Sequence, residues 1–191
     1  MSVIERRTRY FETAGKHNTD TLLKIVKDYI EKENILDVVV ASTTGETGVK
    51  ASKVFKECNV VIVTHHFGFR EPGKIELTDK CRTEILANGA KIFTGTHALS
   101  SVERAIRKNF GSIQPLEIIA NTLRLFGEGV KVCVEIALMA VDAGLVAADR
   151  DLVTVAGTGK GADTALRIRP ANTRTFFDLK IKEVIAKPQA F

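Results

Sequence analysis

The chain turns from apolar to polar within the segment Val39-Val40-Ala41-Ser42-Thr43-Thr44-Gly45-Glu46-Thr47-Gly48. Apolar residues suited to a strand lead into hydroxyls and glycines, and residues 49–58 then have helical spacing. The first turn of a helix has unpaired backbone N–H groups and a partial positive charge, so it binds anions. The segment therefore indicates a phosphate site, with an ordinary capped turn as the alternative, because serine and threonine are also common N-caps.

Apolar strands alternate with helices on both sides of this segment. The periodicity predicts helices over residues 19–33 and 79–88, and buried strands over residues 35–40, 59–64 and 90–94. This alternation predicts an α/β fold with three layers (αβα) around a mostly parallel sheet. In such sheets the ligand lies across the carboxyl ends of the strands.

The remainder of the chain completes the predicted domain. Residues 1–18 look irregular, and residues 100–144 look helical throughout. Strands are expected over residues 151–156 and 164–169, and residues 176–186 are expected to add structure at the sheet edge. We expect one domain over residues 1–191, because this length can bury a single large core.

Histidines follow two of the predicted strands. The loops are Thr64-His65-His66-Phe67-Gly68-Phe69 and Thr94-Gly95-Thr96-His97. His65, His66 and His97 are candidate general acids or bases, since histidine titrates near neutral pH, with capping or packing as the alternative. We expect no metal site, because adjacent histidines in a turn point apart and no carboxylate or thiol is spaced to complete a ligand shell.

A glycine-rich loop, Gly157-Thr158-Gly159-Lys160-Gly161-Ala162-Asp163, follows the strand at 151–156. It fits G-x-G-x-x-A, but a dinucleotide fingerprint opens a helix, whereas a strand pattern follows here. Two interpretations remain. The loop is a plain β-hairpin turn, or Lys160 and its backbone amides close over a phosphate held by residues 42–48.

The composition indicates which classes of ligand and partner the chain can bind. The net charge of +5 fits an anionic ligand, but the basic residues are scattered, and only two tyrosines and no tryptophan are present. We therefore expect no nucleic-acid partner. Three cysteines without a CxxC pair indicate reduced thiols in a cytoplasmic protein. The three arginines and missing apolar run of residues 1–10 predict no secretory signal, and no apolar run has membrane-spanning length.

The loop at residues 41–48, with its strand and helix, and residues 153–161 with 164–168 resemble the C-terminal regulatory domain of pyruvate kinase. The resemblance implies the fold of that domain, in which two such loops hold the phosphates of an allosteric sugar bisphosphate. The whole chain is similar to a family of stand-alone archaeal proteins with this fold, which have been seen with flavin mononucleotide (FMN). We expect no kinase activity, because 191 residues leave no room for the catalytic barrel.

These observations and the resemblance together predict a site for a phosphorylated small molecule, with FMN as the expected cofactor. The expected binding residues are Ser42, Thr43, Thr44, Gly45, Glu46, Thr47, Gly48, Thr64, His65, Phe67, Thr96, Thr158, Gly159, Lys160, Gly161, Ala162 and Asp163. The flavin ring would stack on Phe67 or Phe69. One alternative is an enzyme acting on a phosphorylated metabolite. Another is a non-catalytic regulatory or assembly module. We also expect the chain to form a homo-oligomer.

Overall fold

The structure is a computed structural model and describes residues 3–191. The strands in this part of the chain are β1 (Arg9–Thr13), β2 (Asp37–Ala41), β3 (Asn59–Thr64), β4 (Lys91–Thr94), β5 (Leu152–Ala156), β6 (Thr164–Arg169) and β7 (Lys180–Ala190). The helices are α1 (Thr19–Glu33), α2 (Glu46–Val54), α3 (Asp79–Ala87), α4 (Ser101–Phe110), α5 (Pro115–Arg124) and α6 (Glu128–Asp142). Short 3-10 turns occupy Lys16–Asn18 and Thr173–Asp178.

All the strands join one sheet in the order β1-β7-β6-β5-β2-β3-β4. The pairs β2–β3, β2–β5, β3–β4 and β1–β7 are parallel, whereas β5–β6 and β6–β7 are antiparallel. This topology confirms the predicted α/β fold with a mostly parallel sheet.

Helices cover both faces of the sheet, because the central strands are apolar on both sides. Val38 and Val40 of β2 pack with α1, α2 and α3 in one core. Val39, between them, points to the other core, which α5 and α6 close. Strand side chains alternate between faces, so a single strand supplies both cores. The three-layer expectation is confirmed.

The N-terminal segment differs from the sequence expectation. Residues 9–13 form the edge strand β1 and pair with residues 186–190 of β7. No apolar periodicity marks this strand in the sequence, since four of its five residues are exposed and its partner lies far along the chain. Residues 1 and 2, also expected to be irregular, lie outside the described residues.

The C-terminal strand also corrects an expectation. β7 lies between β6 and β1, so it is not at the edge of the sheet, and the two edge strands are β1 and β4. The alternating strand β6 is likewise paired on both sides. Neither strand is therefore available to pair with a strand of a second copy.

The second helix is shorter at its C-terminal end than its apolar spacing predicted. It begins at Glu46 and ends at Val54, so Cys58 lies in the turn that leads into β3. Cys58, Cys81 and Cys133 are free thiols, and Cys133 is the buried one. Among residues 3–191, the helices are all too short or too polar to cross a bilayer.

Candidate functional site at the ends of the parallel strands

A cavity of about 480 Å³ lies at the carboxyl ends of the parallel strands. Ala41 of β2, Val63 and Thr64 of β3, and Gly157 just after β5 contribute to its wall. The α2 N-terminus closes one side and α6 closes the opposite side. Its volume falls within the roughly 300–1,000 Å³ that small-molecule sites occupy.

The first turn of α2 supplies backbone donors to this cavity. Gly45 is the N-cap and has φ 99°, a left-handed conformation that glycine adopts without strain. Ser42 Oγ accepts from the Gly48 N–H at 3.0 Å, so one first-turn donor is already paired. Glu46 and Thr47 precede Gly48 and line the cavity. Their N–H groups have no acceptor within the helix.

The glycine-rich loop connects the antiparallel strands β5 and β6, so the hairpin interpretation of its backbone is confirmed and the dinucleotide fingerprint is excluded. The loop is fixed to the segment that precedes α1. Ala162 N–H donates to Thr19 Oγ1 at 3.0 Å, and Gly15 N–H donates to Asp163 Oδ2 at 3.0 Å. Gly161 lies so close to Lys16 that a Cβ on Gly161 would be 2.5 Å from the Lys16 Cα.

This packing brings two lysines to the same end of the cavity. Lys16 Nζ donates to Glu46 Oε2 at 2.7 Å across the opening. Lys16, followed by Lys160, lowers the pKa of the Glu46 carboxyl below its ordinary value. Lys160, Gly159 and Gly161 also line the cavity. Residues from three distant parts of the chain therefore surround the α2 N-terminus.

The cavity as a whole is positively charged. Its lining contains more cationic side chains than carboxylates. The cations are Lys16, Arg70, Arg104, Arg124, Lys131 and Lys160, and the carboxylates are Glu46, Glu128 and Glu135. An enclosed surface with this imbalance concentrates anions.

Aromatic rings form another part of the wall. The Phe69 ring centroid lies 3.8 Å from that of His65 and 5.2 Å from that of His97. The Arg104 guanidinium carbon lies 5.6 Å from the Phe69 centroid, within the range of a cation–π contact. Of the two phenylalanines considered for stacking, Phe69 lines the cavity, whereas Phe67 is 57% exposed.

His65 lies between a hydroxyl and a carboxylate. Its Nε2 is 3.4 Å from Thr43 Oγ1, and its Nδ1 is 3.5 Å from Glu76 Oε1. Burial lowers the pKa of His65, and Glu76 opposes that shift. His65 is therefore neutral at neutral pH, with one ring nitrogen able to accept a proton.

The structure brings more than half of the predicted binding residues to the cavity. Those that line it are Ser42, Thr43, Thr44, Glu46, Thr47, Thr64, His65, Gly159, Lys160 and Gly161, together with the candidate His97. The others lie elsewhere: Gly45, Gly48, Phe67, Thr96, Thr158, Ala162, Asp163 and the candidate His66 are not part of its lining.

Several of these others have structural roles that correct the expectation. Asp163 is fully buried, and its carboxylate accepts from the N–H groups of Gly15 and Thr158 and from the Thr164 hydroxyl. Ala162 is fully buried in the core. Gly48 packs α2 onto the sheet, where a Cβ would be 2.8 Å from Ile62.

Three further positions outside the lining have local contacts of their own. A Cβ on Gly45 would be 2.3 Å from the Cys81 Cβ, so this glycine is a packing position between α2 and α3. Thr96 lines a separate, shallow depression near Phe93. His66 Nδ1 lies 2.6 Å from the Phe67 carbonyl oxygen within its own loop.

Sequence reasoning missed the wall that α6 provides. Lys131 and Glu135 are 5% and 4% exposed and line the cavity from a helix that is otherwise apolar on nearly all sides. Two charged residues four positions apart in such a helix were the available signal, since a charge is buried only when it is paired. The residues that Lys131 and Glu135 meet outside α6 could not be deduced from spacing.

We expect His97 to make stability depend on pH. Burial is the main reason that its pKa falls from 6.5 to about 4, despite the nearby Glu135, and His65, Lys131 and His66 also disfavour its protonation. The folded-state pKa lies below the unfolded one, so below pH 6.5 the unfolded chain takes up a proton that the folded chain does not. His97 should therefore destabilise the fold by about 2 kcal/mol at pH 5 relative to pH 7.

Urea unfolding of wild type and His97→Gln at both pH values measures this effect. The variant should lose less stability on acidification than the wild type by about that amount. Carboxylates titrate in both proteins, so their contribution cancels in the comparison. Equal losses in the two proteins would show that His97 does not carry the pH dependence.

Comparison with known proteins found one matching family model and several similar solved structures. The family model described as pyruvate kinase, alpha/beta domain, matches residues 20–168. Similar solved structures include pyruvate kinases from Cryptosporidium parvum. One is 13% identical, with 73% of this chain and 20% of that chain covered and a TM-score of 0.36. Another is 14% identical, with 78% and 22% covered and a TM-score of 0.36.

A third structure, of the Cryptosporidium parvum pyruvate kinase in complex with ADP, is also 14% identical, with the same coverage and a TM-score of 0.38. The chain thus spans about a fifth of the length of these enzymes. The family model matches well over half of the chain, from the first residues of α1 to the end of β6. The chain belongs to the family of pyruvate kinase alpha/beta domains.

Proposed function

We propose that the chain binds a phosphate-bearing ligand in the cavity at the carboxyl ends of the parallel strands. The α2 N-terminus, the hairpin loop at Gly159–Gly161 and Lys16 line one end of this cavity. Backbone N–H groups, glycines that permit close approach and two lysine ammonium groups are the chemistry that holds a phosphate. The convergence of these three segments is the observation that supports the proposal.

FMN is the ligand that we propose to test first. The cavity is large enough for a mononucleotide, and the Phe69 ring offers an aromatic surface at the strand ends. Thr64 and His97 lie in the same wall and carry polar groups suited to the edge of a flavin ring. The residues present therefore fit a flavin with its phosphate at α2, and the bound flavin would supply redox chemistry.

Changing Lys160 to alanine should weaken FMN binding about tenfold, because one charge-assisted contact to phosphate contributes about 1.5 kcal/mol. Titration of purified protein with FMN, followed by its visible absorbance, measures the affinity. Lys50→Ala is the matched control. Lys50 lies on the exposed surface of α2, pairs with Asp20 of α1 and is not in the cavity lining.

The titration separates the parts of the proposal. Competition between FMN and inorganic phosphate, with weaker binding of both by Lys160→Ala, supports the phosphate position. Phosphate binding without FMN binding would reject the flavin and keep the phosphate site. No binding of either at millimolar concentration would reject the proposed function.

A second candidate is an enzyme that acts on a phosphorylated metabolite. His65 favours it, because a neutral imidazole flanked by the Glu76 carboxylate and the Thr43 hydroxyl is the arrangement of a general base. Thr43 belongs to the loop that would hold the phosphate, so the base lies beside the proposed ligand. Incubation with a panel of phosphorylated sugars and aldehydes, with products identified by mass spectrometry, tests this candidate. A panel returned unchanged would reject it.

The third interpretation, a regulatory or assembly module, needs a surface other than β6 and β7, since both strands are paired on each side. A homo-oligomer remains our proposal for the state in solution. Size-exclusion chromatography with light scattering tests it, and a monomeric mass at all concentrations would reject it.

A further inference from the structure

Lys131 and Glu135 form a buried ion pair in the cavity wall. Lys131 Nζ donates to Glu135 Oε2, one helical turn further along α6. The positions between and beside them, including Val134 and Ile136, are apolar and buried. Burying a lysine and a glutamate in apolar surroundings is unfavourable by several kcal/mol per ion before pairing, so their retention at a cavity points to chemistry.

The carboxylate of this pair is held in place from outside the helix. Glu135 Oε1 accepts from the Leu99 N–H at 2.9 Å, which leaves Oε2 for Lys131. His97 Nδ1 lies 4.0 Å from the same Oε2. The three residues Lys131, Glu135 and His97 all line the cavity, which also contains the proposed phosphate position.

The environment of Lys131 favours its uncharged amine more than water does. Burial lowers the pKa of the Lys131 ammonium below its ordinary value, and Glu135 opposes this shift without cancelling it. Arg124 and Arg104 also disfavour the ammonium. A desolvated lysine of this kind is the usual nucleophile toward carbonyl carbon in proteins.

We propose that Lys131 is a carbonyl-reactive amine and that, for the enzymatic candidate, the substrate in this cavity is a phosphorylated aldehyde or ketone. The inference rests on the phosphate-binding function proposed above and gives the enzymatic candidate its substrate class. The phosphate at α2 would hold one end of the ligand, and the carbonyl at the other end would meet Lys131. Glu135 is the proton carrier for the amine.

Lys131 and Glu135 together account for every proton and electron pair in the reaction. Glu135 takes a proton from the Lys131 ammonium, and the freed amine forms a C–N bond to the carbonyl carbon as the C=O π bond breaks. A second proton then moves from the nitrogen to the carbonyl oxygen, which becomes a hydroxyl. Glu135 then returns the proton to this hydroxyl, the C–O bond breaks, and water leaves. The products are a protonated imine on Lys131 and the Glu135 carboxylate, so no outside oxidant or reductant is needed.

Pyridoxal 5′-phosphate is a suitable probe, since it combines a phosphate with an aldehyde. The protein is incubated with an equimolar amount of the probe, the imine is reduced to a stable amine with borohydride, and the modified peptide is identified by mass spectrometry. We expect one adduct per chain, on Lys131. Lys131→Arg keeps the positive charge and should lose this adduct, whereas Lys50→Arg should keep it.

Two further arms separate this inference from the phosphate site. Pyridoxal without phosphate, and the Lys160→Ala variant, should each reduce labelling of Lys131 about tenfold. Inorganic phosphate or FMN should protect Lys131 in the wild type. Phosphate binding together with adducts scattered over exposed lysines, or with none on Lys131, would overturn the inference and leave the phosphate site intact. A protein that binds neither probe nor phosphate would overturn both.

Discussion

Gly161→Ala is expected to destabilise the fold by about 3 kcal/mol and to abolish FMN or phosphate binding at micromolar ligand concentrations. Gly161 has φ 74°, and a Cβ there would be 2.5 Å from the Lys16 Cα and 2.6 Å from Thr19 Oγ1. The Lys16 Cα is backbone and cannot rotate away. The hairpin loop must therefore move off the segment that precedes α1, and the Ala162 N–H would lose its bond to Thr19.

The same loop provides a matched control. Gly159 has φ 72°, nearly the same backbone conformation, but a Cβ on Gly159 would meet no atom within 4 Å. Gly159→Ala should therefore lower the stability only through backbone strain, by about 1 kcal/mol. Urea unfolding of both variants makes the comparison. If the two variants are equally destabilised, close packing between the loop and Lys16 does not contribute to stability.

The central part of the fold could be predicted from the sequence because its signals are local. The apolar run at residues 35–40 predicted β2, and the helical spacing of residues 49–58 predicted α2, which begins slightly earlier, at Glu46. The helix predicted over residues 79–88 is α3, and the hydroxyl of Thr78, which precedes it, accepts from the Cys81 N–H. Periodicity and capping depend on neighbours in the chain, so one sequence contains them.

The predictions that failed concern residues whose contacts lie far along the chain. β1 is polar and exposed, and pairing with β7 makes it a strand. Asp163 looked like a ligand residue in a glycine-rich loop, but Gly15, almost 150 residues earlier, supplies one of the N–H groups that bind its carboxylate. No periodicity connects such residues.

The candidate site also contains residues that local sequence predicted and residues that only tertiary packing places there. Residues 42–48 and the loop at 157–163 were expected to meet, and residues of both segments line one cavity, because both follow strands whose ends lie on one edge of the sheet. Lys131 and Glu135 lie within residues 100–144, for which the sequence predicted only helix. Their place in the same cavity depends on how α6 crosses the sheet, which tertiary packing determines.

Glu135→Ala should destabilise the protein by about 3–5 kcal/mol, which is the largest effect that we expect from any single exchange. The change leaves the Lys131 ammonium buried without its carboxylate and the Leu99 N–H without its acceptor. An unpaired buried charge is far more unfavourable than a missing surface ion pair. Glu46→Ala is the contrasting case, since Glu46 and its partner Lys16 are both exposed, and its loss should change stability by less than about 1 kcal/mol.

The double variant Lys131→Met with Glu135→Leu identifies the cause. Removing both charges should restore most of the stability lost in Glu135→Ala, because apolar side chains of similar volume then fill the site. Urea unfolding at pH 7 of Glu135→Ala, Glu46→Ala and the double variant measures this. If Glu135→Ala is as mild as Glu46→Ala, water reaches Lys131 freely, and its amine lacks the desolvation that carbonyl chemistry requires. If the double variant is more stable than the wild type, the buried pair lowers the stability of the fold, as expected for charges that are kept for reactivity.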